Sequence, residues 1–384
     1  MEAEAAEVGG GRWVAGCSGG GGGAVDDGRC GDTRENNLSS IQFQSKHNRT
    51  LTHNTTTMVK AIRVHEHGGP EVLKWEDVEV PDPKEGEIRL KHKAVGLNFL
   101  DVYMREGRYP QSVPFIPGVE GAGVVTAVGP GVTSCKVGDV VAYAGTQVGS
   151  YAQERILPAD QAVLVPSSVD PVEAAAIIFK GLTAYVLLHR SFKVEPGHTI
   201  LVHAAAGGVG YLLCQWANAI GATVIGTVST KEKAVQAKED GCHHVILYKD
   251  EDFVQRVMEI TSGKGVDVVY DSIGKTTFNG SLECLKTRGH LVVFGMVSGE
   301  PEPLRISQLA PKSLYLTFSS LGEYIIGNRG NLLIAGEAFF SAVVKGVLKA
   351  RVNHKYPLSQ ATQAHIDIES RKTMGSVVLI PDDE

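Results

Sequence analysis

The chain has 384 residues, of which 43% are hydrophobic and 21% charged, with a net charge of −6 at neutral pH. That is a globular composition, too long for one core and suited to two domains. No run of Lys or Arg exceeds two residues, and the longest apolar stretches, such as Ala174 to Phe179, fall far short of the roughly 20 residues that cross a bilayer, so neither nucleic acid nor a membrane is indicated as a partner.

The first 57 residues differ from the rest. Gly19 to Gly23 is an unbroken glycine run, and Asn36 to Thr57 is rich in Asn, Ser, Thr and Gln. Such a segment buries too little apolar surface to offset its ordering entropy and is expected to be disordered. The rival reading is a plastid or mitochondrial transit peptide, against which Glu2, Glu4, Glu7, Asp26 and Asp27 argue. From Met58 to about Lys180 the pattern is strands and turns: Val59 to Val64, a Gly68-Gly69-Pro70 turn, Glu87 to Val95, Gly118 to Val128, and Val140 to Tyr143 after Gly138-Asp139. Ala174 to His189 reads as a helix. Strands and helices then alternate: Thr199 to Ala204, Val209 to Ile220, Ala222 to Val228, Lys231 to Asp240, Val245 to Tyr248, Asp252 to Thr261, Val266 to Asp271 and Leu291 to Gly295. This alternation predicts a doubly wound parallel sheet. A helix near Gly336 to Lys349 and a strand Ser376 to Ile380 close the chain, and that strand suits the β-rich part better than the parallel sheet. The six cysteines, at 17, 30, 135, 214, 242 and 284, contain no CxxC pair, which disfavours a structural zinc lobe or a disulfide framework and points to a reducing compartment, the cytoplasm unless residues 1–57 direct the chain elsewhere.

The strongest single feature is Ala204-Ala205-Ala206-Gly207-Gly208-Val209-Gly210, which follows a strand and opens a helix. Glycines in that place let backbone N–H groups approach a pyrophosphate, and the helix N-terminus favours the negative charge. The first glycine of GxGxxG is replaced by Ala205, so the context carries the reading more than the motif does. NAD enzymes place Asp or Glu at the end of the second strand to bind the ribose hydroxyls. Here Ser229 and Thr230 follow Val228, then Lys231 and Lys233, with no acid at the strand tip. Donors without a repelling carboxylate suit a 2′-phosphate, hence NADPH. Lys231 fits equally well as a solvated residue of a first helical turn.

Taken together, Val95 to Asp101, Pro117 to Gly123, Lys180 to Ala184, His203 to Gly210 and Tyr270 to Gly274 are specific. The stretch Met58 to Pro381 resembles the NADPH:quinone oxidoreductases, the zeta-crystallin-like branch of the medium-chain dehydrogenase/reductases. The resemblance implies an α/β architecture: a disordered extension over 1–57, a GroES-like β-rich catalytic domain over 58–181, a doubly wound Rossmann NADPH-binding domain over 182–317, and a C-terminal return to the catalytic domain over 318–384. It also implies a homodimer. Its cofactor residues fall on Asn98, Thr183, Ala206, Gly207, Gly208, Val209, Gly210, Ser229, Lys233, Tyr248, Ser272, Phe294 and Arg371, with Lys233, Tyr248 and Arg371 gripping the 2′-phosphate. Zinc-dependent relatives carry Cys where Asn98 stands and Gly-His-Glu where Gly118-Val119-Glu120 stands. An amide and a valine cannot replace those ligands, so no metal is expected.

Without a metal the protein must rely on orientation and exclusion of water around a hydride donor. A quinone suits this. An activated alkene, in an alkenal, enone or enoyl-thioester reductase, suits it almost as well but requires a placed proton. A crystallin-like protein that binds NADPH, or RNA, without turnover is the reading from another class. Asn98, Tyr103 and Tyr109 are the candidate catalytic residues. In related enoyl-thioester reductases the tyrosine at the Tyr109 position is a proposed proton donor, and the plainer reading of Tyr109 is a half-buried aromatic at a loop end. Asp101 reads as structural. Close relatives often show Arg-Pro where this chain has Phe318-Ser319, which bears on the acceptor pocket.

Overall fold

The computed structural model describes residues 57–145, 147–325 and 328–382. The expectation for the N-terminal segment lies outside the described residues up to position 56, and Thr57 already belongs to the first strand.

In chain order the first lobe contains β1 (Thr57–Val64), β2 (Leu73–Val80), β3 (Glu87–Leu97), α1 (Phe99–Arg105), β4 (Glu120–Val128), β5 (Val140–Ala144), β6 (Glu154–Pro158), β7 (Ala162–Leu164) and α2 (Pro171–Val186). The second contains β8 (Thr199–Val202), α3 (Gly210–Ile220), β9 (Thr223–Val228), α4 (Lys231–Glu239), β10 (His244–Leu247), α5 (Phe253–Ile260), β11 (Val266–Asp271), α6 (Phe278–Cys284), β12 (Leu285–Val293) and β13 (Tyr315–Phe318). The chain then forms α7 (Leu321–Ile325), α8 (Arg329–Val344), β14 (Val352–Pro357), α9 (Ala361–Glu369) and β15 (Ser376–Ile380).

The β1–β2 hairpin stands beside a seven-stranded sheet of order β14-β15-β3-β4-β5-β7, with β6 also on β3. The last strand returns to the first lobe, as its sequence suggested: Val377 pairs with Leu97 and Leu379 with Val95, antiparallel. The second sheet is parallel throughout, in the order β10-β9-β8-β11-β12-β13. Its central strands β8 and β11 are buried, β8 as an apolar run and β11 with Asp267 and Asp271 among apolar residues, because helices cover both faces. The order reverses between β8 and β11, which opens a crevice at their C-terminal ends.

Between the sheets lies α2. Asp170 caps it by accepting from the Val172 and Glu173 N–H groups, and Pro171 occupies its first turn. The segment Pro171–Ser191 is 21 residues long with a mean hydropathy of 1.5, so the expectation that no apolar stretch reaches membrane-spanning length is corrected. Its most apolar window is 78% buried within the protein, where Ile177, Ile178, Leu182 and Leu187 form the main core.

Candidate active site

A cleft of about 1110 Å³ occupies the crevice, and the residues singled out above for cofactor or catalysis line it, apart from Thr230 and Lys231. Lys233 and Tyr248 stand at the β9–β10 end, Ala206 to Gly210 follow β8 at the centre, and Phe294 follows β12. Asn98, Tyr103 and Tyr109 enter from the first lobe, and Thr183 from α2.

The turn from β8 to α3 is built for close approach. Ala204 takes a left-handed conformation, φ +51°, and a Cβ on Gly210 would stand 2.2 Å from the Ala204 carbonyl oxygen. No side chain caps α3, and among the described residues the N–H groups of Gly208, Val209 and Gly210 have no protein acceptor. Orphan donors at a helix N-terminus form an anion site. The turn is braced from below. The Ala206 carbonyl accepts from the Gly375 N–H at 2.8 Å, and His203 reaches Thr227 and Ser281, each at 3.0 Å. Ser281 donates to Asp271, which also accepts from the Ile273 and Gly274 N–H groups.

Positive charge gathers at the β9–β10 end. Thr230 caps α4 by accepting from the Lys233 N–H, and the Lys233 ammonium donates to the Arg371 carbonyl at 2.9 Å. Burial lowers the Lys233 pKa, and the charges of Lys249 and Arg371 push it the same way. Arg371 occupies the position after α9 that a helix usually gives to glycine: its φ is +60°, its N–H bonds the Ile368 carbonyl and the next N–H bonds Asp367. An arginine there strains the backbone by roughly 1–2 kcal/mol. Neither the Arg371 guanidinium nor the Lys233 or Lys249 ammonium has a carboxylate partner among the described residues, whereas the adjacent Lys372 pairs with Asp367 at 3.4 Å. Ser229 and Tyr248 complete the lining at this end. These groups fit a phosphate-bearing adenine ribose, and the orphan N–H groups of the turn fit the pyrophosphate of a dinucleotide.

On the other lobe, Glu120 is fully buried and its carboxylate is saturated. It accepts from Lys180 Nζ at 2.7 Å, Asn98 Nδ2 at 2.8 Å and the Phe179 N–H at 2.9 Å. The stem of Lys180 lies over Gly208, 3.0 Å from where a Cβ would be. Asn98 therefore spends one amide proton on Glu120 and keeps the rest of its amide at the cleft. Sequence reasoning quoted Glu120 and Lys180 only within motifs. The available signal was a single charge inside each apolar run, which demands a partner.

Tyr103 is 8% exposed. Its ring lines the cleft, but its hydroxyl is shut off from solvent, and burial pushes its pKa up to about 12 against the opposing pull of the Met296 backbone. Tyr109 meets the Tyr103 ring edge-on at 5.7 Å and is 38% exposed. Thr183 donates to the Phe179 carbonyl of its own helix. Asp101 lies behind the cleft wall. Its Oδ2 accepts from the Asn98 N–H at 2.9 Å and the Tyr151 hydroxyl at 3.0 Å, its Oδ1 has no partner, and burial raises its pKa to about 7. Tyr151 also meets His365 Nε2 at 3.1 Å. Arg105 donates to His365 Nδ1 at 3.0 Å and to Glu369 at 2.6 Å. Burial holds His365 down to about 3, so it is neutral, with its proton on Nε2. This chain fastens α1 to α9 and supports the structural reading of Asp101.

Two protein-family models match the chain: alcohol dehydrogenase GroES-like domain over residues 84–167, and zinc-binding dehydrogenase over residues 208–330. Among curated proteins the chain is 46% identical to the 2-haloacrylate reductase of a Burkholderia species, covering 84% of this chain and 99% of that protein. It is also 46% identical to quinone oxidoreductase 1 of Escherichia coli, covering 84% and 100%. Among solved structures it matches the Escherichia coli quinone oxidoreductase complexed with NADPH with a TM-score of 0.82, at 46% identity over 84% of this chain and all of that one. The second family model is described as zinc-binding, and the donors here do not fit that ion. Asn98 is an amide, Val119 has no ligating atom, Glu120 is consumed by Lys180 and Asn98, and among the described residues no group of three or more His, Cys, Asp or Glu is placed to hold a metal. A GroES-like lobe, a parallel sheet with its cofactor crevice, and likeness along nearly the full length of these relatives place the chain in the quinone oxidoreductase family of the medium-chain dehydrogenase/reductases.

Proposed function

We propose that the protein is an NADPH-dependent oxidoreductase that reduces quinones or similar small electrophiles. The observation that carries this is the cleft-lining pair Lys233 and Arg371, with the charge of Lys249 acting on Lys233 and no carboxylate partner for the three among the described residues, at one end of a cleft whose centre offers orphan N–H groups at the start of α3. The bound nicotinamide supplies a hydride. The chain's own residues bind, orient and exclude water. Lys233, Tyr248, Ser229 and Arg371 hold the 2′-phosphate, and the Gly207 to Gly210 turn holds the pyrophosphate. Asn98, fixed by Glu120, presents its amide beside the reacting rings. A quinone gains two electrons and a proton as hydride and takes its second proton from solvent, so no buried acid is required.

The test is oxidation of NADPH against a panel of quinones, enals and enones, with Lys233→Ala alongside. Quinone turnover is expected. The variant is expected to weaken NADPH by roughly tenfold or more while changing NADH little. Equal loss for both cofactors refutes the phosphate role, and tight NADPH binding with no oxidation by any acceptor favours a crystallin-like binding protein. We further propose a homodimer. Strand β13 supports it: this edge of the parallel sheet leaves Tyr315 and Leu316 about 40% exposed, a surface that proteins cover or pair. Sedimentation at equilibrium gives the assembly mass.

A further inference from the structure

The cleft lining beside β12 and β13 carries large apolar side chains together with those of Ser319 and Ser320. Phe99 and Tyr103 on α1, Phe294 after β12, Phe318 at the end of β13, and Leu321 and Ile325 on α7 form its apolar wall. Phe318 is 53% exposed, an apolar side chain left open at the cleft. The backbone beside it is held in place: the Ser319 N–H donates to the Val293 carbonyl at 2.8 Å, and the Ser319 hydroxyl meets that of Ser191 at 2.8 Å.

The charges of the cleft lie elsewhere. Lys180 is bound to Glu120, and Lys233 and Arg371 belong to the β9–β10 end. Arg190 stands over the Tyr324 ring of α7 but does not line the cleft, and neither does Arg108. Arg108 stacks 5.5 Å over the Tyr103 ring and pairs with Glu106 at 2.8 Å. Among the described residues, no lysine or arginine other than Lys180, Lys233 and Arg371 lines the cleft, so none at this end lines it to meet a carboxylate. A carboxylate moved from water onto an aromatic wall loses hydration that nothing there replaces, whereas a neutral ring or ester loses little and gains apolar contact.

We infer that the acceptor half of the site selects neutral, ring-bearing or alkyl-bearing electrophiles and rejects carboxylates, with Phe318 as a specificity-determining residue. This rests on the reductase reading above and decides a point that likeness leaves even, since the chain is equally identical to a quinone oxidoreductase and to a 2-haloacrylate reductase.

The experiment compares 1,4-naphthoquinone with methyl 2-chloroacrylate and 2-chloroacrylate, a pair of alkenes that differ in charge. In both alkenes the hydride goes to the CH2 carbon and a proton from solvent water to the chlorine-bearing carbon, the C=C π bond is lost, and NADPH becomes NADP+. In the wild-type protein the quinone and the ester are expected to oxidise NADPH, with kcat/KM for the acid about a hundredfold or more below that for the ester. The acid is intrinsically the weaker electrophile, so the deciding quantity is how the acid-to-ester ratio moves between proteins, from which that difference cancels. Phe318→Arg is expected to raise the ratio by about tenfold or more by supplying a guanidinium. Phe318→Leu is expected to leave it low, which separates charge from shape. A wild-type acid rate equal to the ester rate, or a ratio unmoved by Phe318→Arg, overturns the inference while quinone turnover keeps the reductase reading. Failure of both quinone and ester to oxidise NADPH overturns both.

Discussion

Arg371 offers a separation of stability from function. Replacing it with glycine removes a side chain from a backbone position at φ +60° that ordinarily belongs to glycine. The relief is roughly 1–2 kcal/mol, and the greater freedom of glycine in the unfolded chain returns about 0.5–1 kcal/mol. Loss of a cation that opposes Lys233 acts in the stabilising direction. The ligand-free protein is therefore expected to gain about 0.5–1 kcal/mol, seen as a rise in Tm of about 1–3 °C. Binding moves the other way. The lost guanidinium takes with it one charge-assisted bond to the 2′-phosphate, about 1.5–2 kcal/mol in this solvent-exposed place, or tenfold to thirtyfold in Kd. Because Lys233 bonds the backbone carbonyl of residue 371, its anchor survives the change. Thermal unfolding without ligand, and calorimetric titration with NADPH and NADH, measure the two arms. A fall in ligand-free stability, or equal weakening of both cofactors, would refute the reasoning.

Glu120→Gln leaves Lys180 buried without its anion and is expected to cost about 3–5 kcal/mol in urea unfolding, much of it recovered when Lys180→Met is added. Gly210→Ala drives a methyl group into the Ala204 carbonyl, so α3 must shift from the turn. NADPH affinity is expected to drop at least about tenfold, and stability by about 1–3 kcal/mol, in titration and unfolding assays. Asp101 carries a folded-state pKa of about 7, above its unfolded value, so its protonated form stabilises the fold fully at low pH, and that contribution is lost as pH rises toward 7. Asp101→Asn removes the dependence. Its unfolding free energy relative to wild type is expected to rise by about 2.3 kcal/mol from pH 5 to pH 7, and a pH-independent difference would show that Asp101 is ionised throughout.

The parallel sheet was legible because β8 and β11 are short, mostly apolar runs closed by turn residues, and the Ala204 to Gly210 turn because a strand precedes it and a helix follows. Strand β15 was legible to the residue, and so was its place in the other sheet. Helix α1 escaped notice since seven residues show barely two turns of periodicity, and its start depends on Asp101 reaching back to the Asn98 N–H. Helix α9 and strand β14 were missed as well. The strand alternates only between half-buried and exposed residues, without the apolar alternation that marks a buried face. The pairing of Glu120 with Lys180 and the left-handed turn at Arg371 are properties of tertiary contact and backbone torsion, which composition does not carry. The seclusion of the Tyr103 hydroxyl is of the same kind.

The strand order has a consequence for synthesis. All six strands of the parallel sheet come from one uninterrupted stretch, Thr199 to Phe318, so that sheet can close while the chain is still leaving the ribosome. The sheet of the first lobe cannot. Strand β3 waits for β15, which emerges last, and the pair closes across nearly the whole described chain. The half of the molecule translated first is thus completed last, and a nascent chain stalled before Ser376 would hold a finished cofactor fold beside an acceptor wall that lacks its neighbouring strand.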